Sequence, residues 1–173
     1  MAVVRDAVRR NLSGRYRIRL PHINSMLRSA LSSNLKEFCR SPAGPGCQLL
    51  AVFPDGGVYP CHCVAGSAAE RLFRMGSVFS SSDWRSLKHN SQAVLSPQQR
   101  TVESISKCRA CPLKRICGGG DFNESYQAFG RLDREAYMCR YYDIMFPWLI
   151  FLLCDDPKGV LGLMAPIHNH PRA

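Results

Sequence analysis

This chain has no long hydrophobic run. The longest nearly unbroken one, Met145 to Cys154, is interrupted by Pro147. It reaches about half the length a membrane span needs, which excludes a spanning helix and a membrane partner. The first ten residues, Met1 to Arg10, are charged and hold no apolar segment, so no signal peptide is read there and a cytoplasmic location is expected. Acidic residues are scarce, 13 against 23 Lys plus Arg, for a formal charge of +10. Much of the excess lies near the start, at Arg5, Arg9, Arg10, Arg15, Arg17 and Arg19. No finger, homeodomain or RNA-recognition signature accompanies it, so it reads as a solvated face and no nucleic acid is expected. No internal repeat is visible.

Cysteine is abundant. There are nine in 173 residues. In a reducing compartment clustered cysteines point to metal more often than to disulfides, and an odd number suits a fully paired scaffold poorly.

Organisation follows from pattern. Residues 1–38 read as a helical segment in two pieces. The first has a stripe of Val3, Val4, Ala7, Val8 and Leu12 ended by Ser13-Gly14. The second spans roughly Ile23 to Leu35 after Pro21, with Met26, Leu27, Ala30 and Leu31 on one side. Residues 39–153 form the cysteine-bearing domain. In it, Leu49 to Phe53 reads as a buried strand, Pro54-Asp55-Gly56-Gly57 as a tight turn, and Val58 to Cys61 as the return strand. Arg74 to Val78 suits a short strand or turn. Short helices are expected over Asp83–His89 and Pro97–Ile105, and a longer one from about Asp133 to Leu153, kinked at Pro147. Residues 154–173, with His168 and His170, read as a loose tail. The fold class expected is α+β: a small β-hairpin with helices and cysteine-rich loops.

The strongest signal is Cys108-x2-Cys111-x5-Cys117-x3-Asp121, followed by Cys139. An x2 spacing lets two thiolates converge from a single turn. Gly118, Gly119 and Gly120 let the backbone bend sharply and come close to a bound group. Lys107, Arg109, Lys114 and Arg115 nearby would favour thiolate over thiol. Spacing alone leaves the metal open, because zinc and iron–sulfur clusters both take four thiolates.

The order of residues goes further. Cys47 to Cys61 with its Pro-Asp-Gly-Gly turn, Arg74-Met-Gly-Ser-Val78, Cys108 to Asp121, and Tyr137-Met-Cys139 together resemble a SPASM domain. That is the C-terminal auxiliary domain of radical SAM peptide- and protein-modifying enzymes. The resemblance covers roughly residues 39–153. It implies two auxiliary 4Fe-4S clusters. Cys108, Cys111, Cys117 and Cys139 would hold the second. Cys47, Cys61 and Cys39 would serve the first, whose remaining ligand falls at position 121. There this chain has Asp121 where the family has cysteine. A carboxylate can ligate iron as a harder donor, or leave an iron open to substrate or water, or the first cluster is absent. Cys39 and Cys47 lie on either side of the family's usual spacing: either is a candidate for the primary ligand, and ligation by both stays open.

Other residues are read more plainly. Cys63, two after Cys61, would share its face on an extended strand, but is not counted among the expected ligands. His62 reads as a neighbour of a ligand. Cys154 reads as a small buried hydrophobe. Trp84, Trp148, Tyr141 and Tyr142 read as core or interface aromatics, and the face around Phe146, Trp148, Ile150 and Phe151 as a docking surface.

A radical SAM enzyme also needs a Cys-x3-Cys-x2-Cys loop and a partial barrel, and neither is present in this sequence. The resemblance thus implies a module that works with a separate S-adenosylmethionine-cleaving domain or subunit on a ribosomally made peptide or protein substrate, binding it and accepting an electron during oxidative crosslinking. The alternatives are a zinc-stabilised binding module without a redox role, and an electron-transfer protein acting in trans.

Overall fold

The computed structural model describes residues 1–14, 18–32, 50–64, 66–80, 85, 87 and 92–164. Cys39, Cys47, Trp84, His168, His170 and most of the helix expected over Asp83–His89 lie outside the described residues. The chain is α+β and divides into two units, Met1–Asn34 with Asp143–Ala173, and Leu35–Tyr142. Among the described residues no helix is long and apolar enough to cross a membrane.

The first unit is helical. Helix α1, Ala2–Leu12, buries Val4, Ala7 and Val8, while Val3 and Leu12 at the edges of the expected stripe stay exposed. It ends where the sequence suggested, at Ser13 before Gly14. Helix α2, Pro21–Ser32, buries Ile23, Met26 and Leu27 and leaves Leu31 exposed.

The second unit holds a three-stranded antiparallel sheet, β1 Ala51–Val52, β2 Gly57–Tyr59 and β3 Gly76–Ser77, in the order β1-β2-β3. The register sets Ala51 opposite Tyr59 and Val58 opposite Gly76. The expected hairpin turn is made by Asp55, whose Oδ1 accepts from the Gly57 N–H at 2.9 Å, and by Gly56 at φ 73°. A left-handed φ of that kind is routine only for glycine. Behind the sheet lie Val58, Tyr59, Val64, Phe73, Met75 and Phe122. Phe73 meets Phe122 edge-on at 5.0 Å, and Phe53 stacks on Tyr59 at 4.5 Å. Aromatic pairs at such spacings add to plain burial.

Further helices described in this unit are α3 Gln92–Gln99, α4 Ser106–Arg109, α5 Lys114–Cys117 and α6 Phe122–Phe129. The helix expected over Pro97–Ile105 is displaced: Pro97 lies inside α3. Residues 101–104 instead form a reciprocal turn, with the Thr101 N–H donating to Ser104 Oγ and the Ser104 N–H to Thr101 Oγ1. Hydroxyl side chains of this sort compete with helix bonds for the backbone.

Helix α7, Cys139–Asp155, starts six residues later than expected. The backbone before it is engaged elsewhere. Leu132 and Arg134 carbonyls accept from Arg100, the single Ser125 hydroxyl proton is shared between Arg134 O at 2.7 Å and Arg131 O at 3.0 Å, and the Ala136 N–H donates to Gly119 O. Those groups are unavailable for a helical ladder. Along α7 the buried stripe is Tyr142, Met145, Phe146, Leu149 and Leu152. Cys154 falls on the other side and is exposed, which corrects its reading as a buried hydrophobe. Phe146 is fully buried, so of the face read as a docking surface only Ile150 and Phe151 are exposed and Trp148 is half-buried.

In the stretch read as a loose tail, Pro157–Gly162 forms α8. Asp156 caps it, accepting from the Gly159 N–H at 2.9 Å, and Pro157 occupies the first turn, where a missing N–H costs nothing. Val160 and Leu163 are buried. Gly159 lies against Val8 of α1, where a Cβ would sit 2.5 Å from Val8 Cγ1.

Candidate metal centre

The cysteine loop is built from two single-turn helices and a glycine corner. Cys108 lies in α4 and is buried. The Cys111 N–H donates to Cys108 O at 3.0 Å, which turns the chain between the pair. Cys117 ends α5, and Gly118, Gly119 and Gly120 follow at φ 66°, 79° and 73°. Two of these glycines are required by space as well as by conformation. A Cβ on Gly119 would lie 2.8 Å from Ile105 Cδ1, and one on Gly120 would lie 2.4 Å from Ala136 Cβ. The Ala136 N–H reaches back to Gly119 O at 3.4 Å, and the Cys139 N–H donates to Ala136 O at 3.0 Å. Cys139 is thereby tied to the corner.

The four cysteines feel one another. The Cys108 thiol is pushed up to about 12, chiefly by burial and then by repulsion from Cys117, Cys139 and Cys111, with Arg100 pulling the other way. Deprotonation of Cys108 is unfavourable unless a cation is bound beside it.

Arg100 is the residue that sequence reasoning missed. Its side chain is buried, and its guanidinium donates to Leu132 O at 2.8 Å, Gly120 O at 2.9 Å, Gly119 O at 2.8 Å and Arg134 O at 3.0 Å. Burial lowers its pKa, against the pull of Cys108, Asp121, Cys117 and Glu124. It is thus the cation set among these groups. Of the cations expected from sequence, Lys114 pairs with Glu103 at 3.0 Å and donates to Arg109 O, and Lys107 pairs with Glu135 at 3.6 Å. Nothing in the motif spacing marks position 100. An arginine ahead of a carbonyl-rich glycine loop was the available signal.

Asp121 follows the corner and caps α6. Its Oδ1 accepts from the Asn123 N–H at 2.7 Å and the Glu124 N–H at 3.4 Å. Asn123 then donates from Nδ2 to Cys63 O at 2.6 Å. This brings the segment around Cys61 alongside, and the Asp121 charge acts on the Cys61 thiol.

Cys61 lies beyond β2, not on it. Pro60 has no N–H to extend the ladder, and His62–Val64 winds into a 3₁₀ turn. Cys61 and Cys63 therefore meet by a turn rather than by strand alternation, with the Cys63 N–H donating to Cys61 Sγ at 3.4 Å. His62 stands between them, Nδ1 4.0 Å from Cys61 Sγ and Nε2 3.5 Å from Cys63 Sγ. One donor atom from each of the three lies within 4.8 Å of the others, a group able to hold a metal ion. Hydrogen bonding from Cys63 brings the Cys61 thiol down to about 6, against burial and the Asp121 charge, with His62 a smaller help. The consecutive Cys-His-Cys was visible in the sequence, but its convergence depends on the turn.

The structure thus describes a cysteine-rich α+β module with a Cys-His-Cys group able to bind metal beside a four-cysteine glycine loop. No family model matches the chain, and no solved structure matches it. It is similar, at 34% identity over 102 residues, to a protein of Archaeoglobus fulgidus described as uncharacterized. The matched segment is 59% of this chain and 23% of that one, so the chain spans under a quarter of the length of the curated relative it matches.

Proposed function

We propose that this chain is the auxiliary iron–sulfur domain of a radical SAM peptide or protein maturase, with two 4Fe-4S clusters. The observation that carries the reading is geometric: Cys108, Cys111 and Cys117 lead into a glycine corner where a Cβ at position 119 or 120 would clash, and Cys139 is tied back to that corner through Ala136.

In this reading Cys108, Cys111, Cys117 and Cys139 hold the second cluster. Cys61 serves the first with Cys39 and Cys47, and Asp121 stands at its remaining ligand position. The clusters would accept an electron during oxidative crosslinking of a ribosomally made substrate. This chain's own part is to hold the corner rigid through Arg100 and to offset thiolate charge there. Cleavage of S-adenosylmethionine belongs to a further domain or subunit, in the cytoplasm. That more than three-quarters of the Archaeoglobus fulgidus relative lies outside the match is in keeping with such a partner domain.

The test is anaerobic reconstitution followed by iron, sulfide and zinc counts. A brown protein with about eight irons is expected, or about four if the first site takes no cluster. Cys111→Ala and Cys117→Ala should each remove one cluster. A colourless protein with zinc and no sulfide refutes the reading. It would favour a zinc-stabilised binding module, to which the mixed sulfur and nitrogen donors of Cys61, His62 and Cys63 are suited.

A further inference from the structure

The family pattern puts a ligand at position 121 and none at 62 or 63. The geometry points to the reverse: we infer that Cys61, His62 and Cys63 hold a thiophilic metal centre, with Asp121 kept on the cap of α6 and off the metal. This rests on the reading above for the site given there to the first cluster, and revises its ligand set by putting His62 and Cys63 in place of Asp121.

Three observations carry it. The first is donor spacing. Three donors of a tetrahedral thiophilic metal stand about 3.5 to 3.8 Å apart. Cys63 Sγ and His62 Nε2 are 3.5 Å apart, and all three donors are within 4.8 Å of one another.

The second is that the backbone is pinned. Cys63 O accepts from Asn123 Nδ2, and the Ser67 hydroxyl donates its one proton to Val64 O at 2.7 Å, with Asn123 Oδ1 as a longer, shared acceptor at 3.3 Å. Val64 beneath the turn is fully buried. The turn is held on both sides while His62 and Cys63 face solvent, so a metal has a route in.

The third is the commitment of Asp121. Its Oδ1 carries two N–H bonds of the helix cap. Turning Oδ1 onto a metal would cost that cap, about 1 kcal/mol. A carboxylate is also a harder donor than the thiolate and imidazole beside it, and ranks below them for zinc, cobalt or cluster iron.

The test uses the full chain, stripped of metal under anaerobic conditions and titrated with Co²⁺. It is read by thiolate-to-cobalt charge-transfer and ligand-field absorption. Cys63→Ser and His62→Ala are expected to lose one cobalt equivalent, or to bind it at least about tenfold more weakly. Asp121→Asn should keep it, because asparagine caps a helix as well as aspartate does. Both turn residues are exposed, so far-ultraviolet circular dichroism should be unchanged in all three variants. Wild-type titration of Cys63→Ser and His62→Ala overturns the inference, as does loss of the equivalent in Asp121→Asn. In protein isolated with its native metal, Cys63→Ser should lose either zinc alone or iron together with sulfide. The first outcome identifies a lone cation and the second a cluster edge, and both support Cys63 as a ligand. The cobalt result is independent of sulfide: a protein without sulfide sinks the maturase reading and leaves this one standing.

Discussion

Replacing Arg100 by methionine removes the buried side chain that ties the glycine corner to the loop before α7. Arg100 is 3% exposed and donates four hydrogen bonds to main-chain carbonyls. The two to Gly119 and Gly120 are fully buried, and those to Leu132 and Arg134 are partly so. A buried acceptor left without a donor costs about 1 to 3 kcal/mol, so the two glycine carbonyls alone set a range of about 2 to 6. Water reaches the other two and relieves them. Removing one partner of a buried charged network commonly costs about 3 to 5 kcal/mol, in the same range. The expected loss for Arg100→Met is therefore about 3 to 5 kcal/mol, from a total that for natural domains is about 5 to 15. For a chain of this size that corresponds to a fall in Tm of about 6 to 20 °C. Arg100→Lys keeps the charge but not the planar fork, and should recover only part of the loss. The assay is urea unfolding followed by circular dichroism on the metal-free protein, with calorimetry alongside. A change in the unfolding midpoint worth less than about 1 kcal/mol would show that Arg100 is not what holds the corner together.

Gly120→Ala and Gly130→Ala form a matched pair. Both glycines have positive φ, 73° and 65°, so both variants carry the left-handed cost of about 1 to 2 kcal/mol. Only Gly120 has a Cβ obstructed, at 2.4 Å from Ala136 Cβ, so its variant should unfold at clearly lower urea and bind metal poorly, while Gly130→Ala pays the conformational cost alone. Equal midpoints would contradict the packing argument. In the metal-free protein, alkylation by iodoacetamide should mark Cys61 well before Cys108, the two being similarly buried. Its thiol, lowered to about 6, is thiolate at neutral pH, and its labelling should fall away as pH drops through that value. Cys108, raised to about 12, stays protonated at neutral pH and should be labelled later. Mass spectrometry after short labelling at pH 7 reads the order, and early labelling of Cys108 would refute it.

Much was legible from local signals. The Pro-Asp-Gly-Gly turn sets the hairpin because its requirements lie within four residues. The ends of α1 follow from its own stripe and from Ser13-Gly14. The three glycines after Cys117 announce a close-packed corner, because their conformational freedom is a property of the residue itself. What a sequence cannot carry is contact between segments far apart in the chain. Arg100 matters because residues 119, 120, 132 and 134 fold back to it. The loop before α7 resists becoming helix because Arg100 and Ser125 take its carbonyls. Cys154 faces outward because packing selects the opposite side of α7.

The Cys61 end shows the same division. Its donors are adjacent in sequence, yet alternation along a strand would have kept His62 on the opposite side from both cysteines. Only the turn after Pro60, held by Asn123 from 60 residues further on, brings all three together. Residue type and spacing determined that metal-binding side chains are present and where the chain can bend. Long-range hydrogen bonds decided which of them meet, because their donors and acceptors are chosen by the packed chain and not by neighbours in sequence.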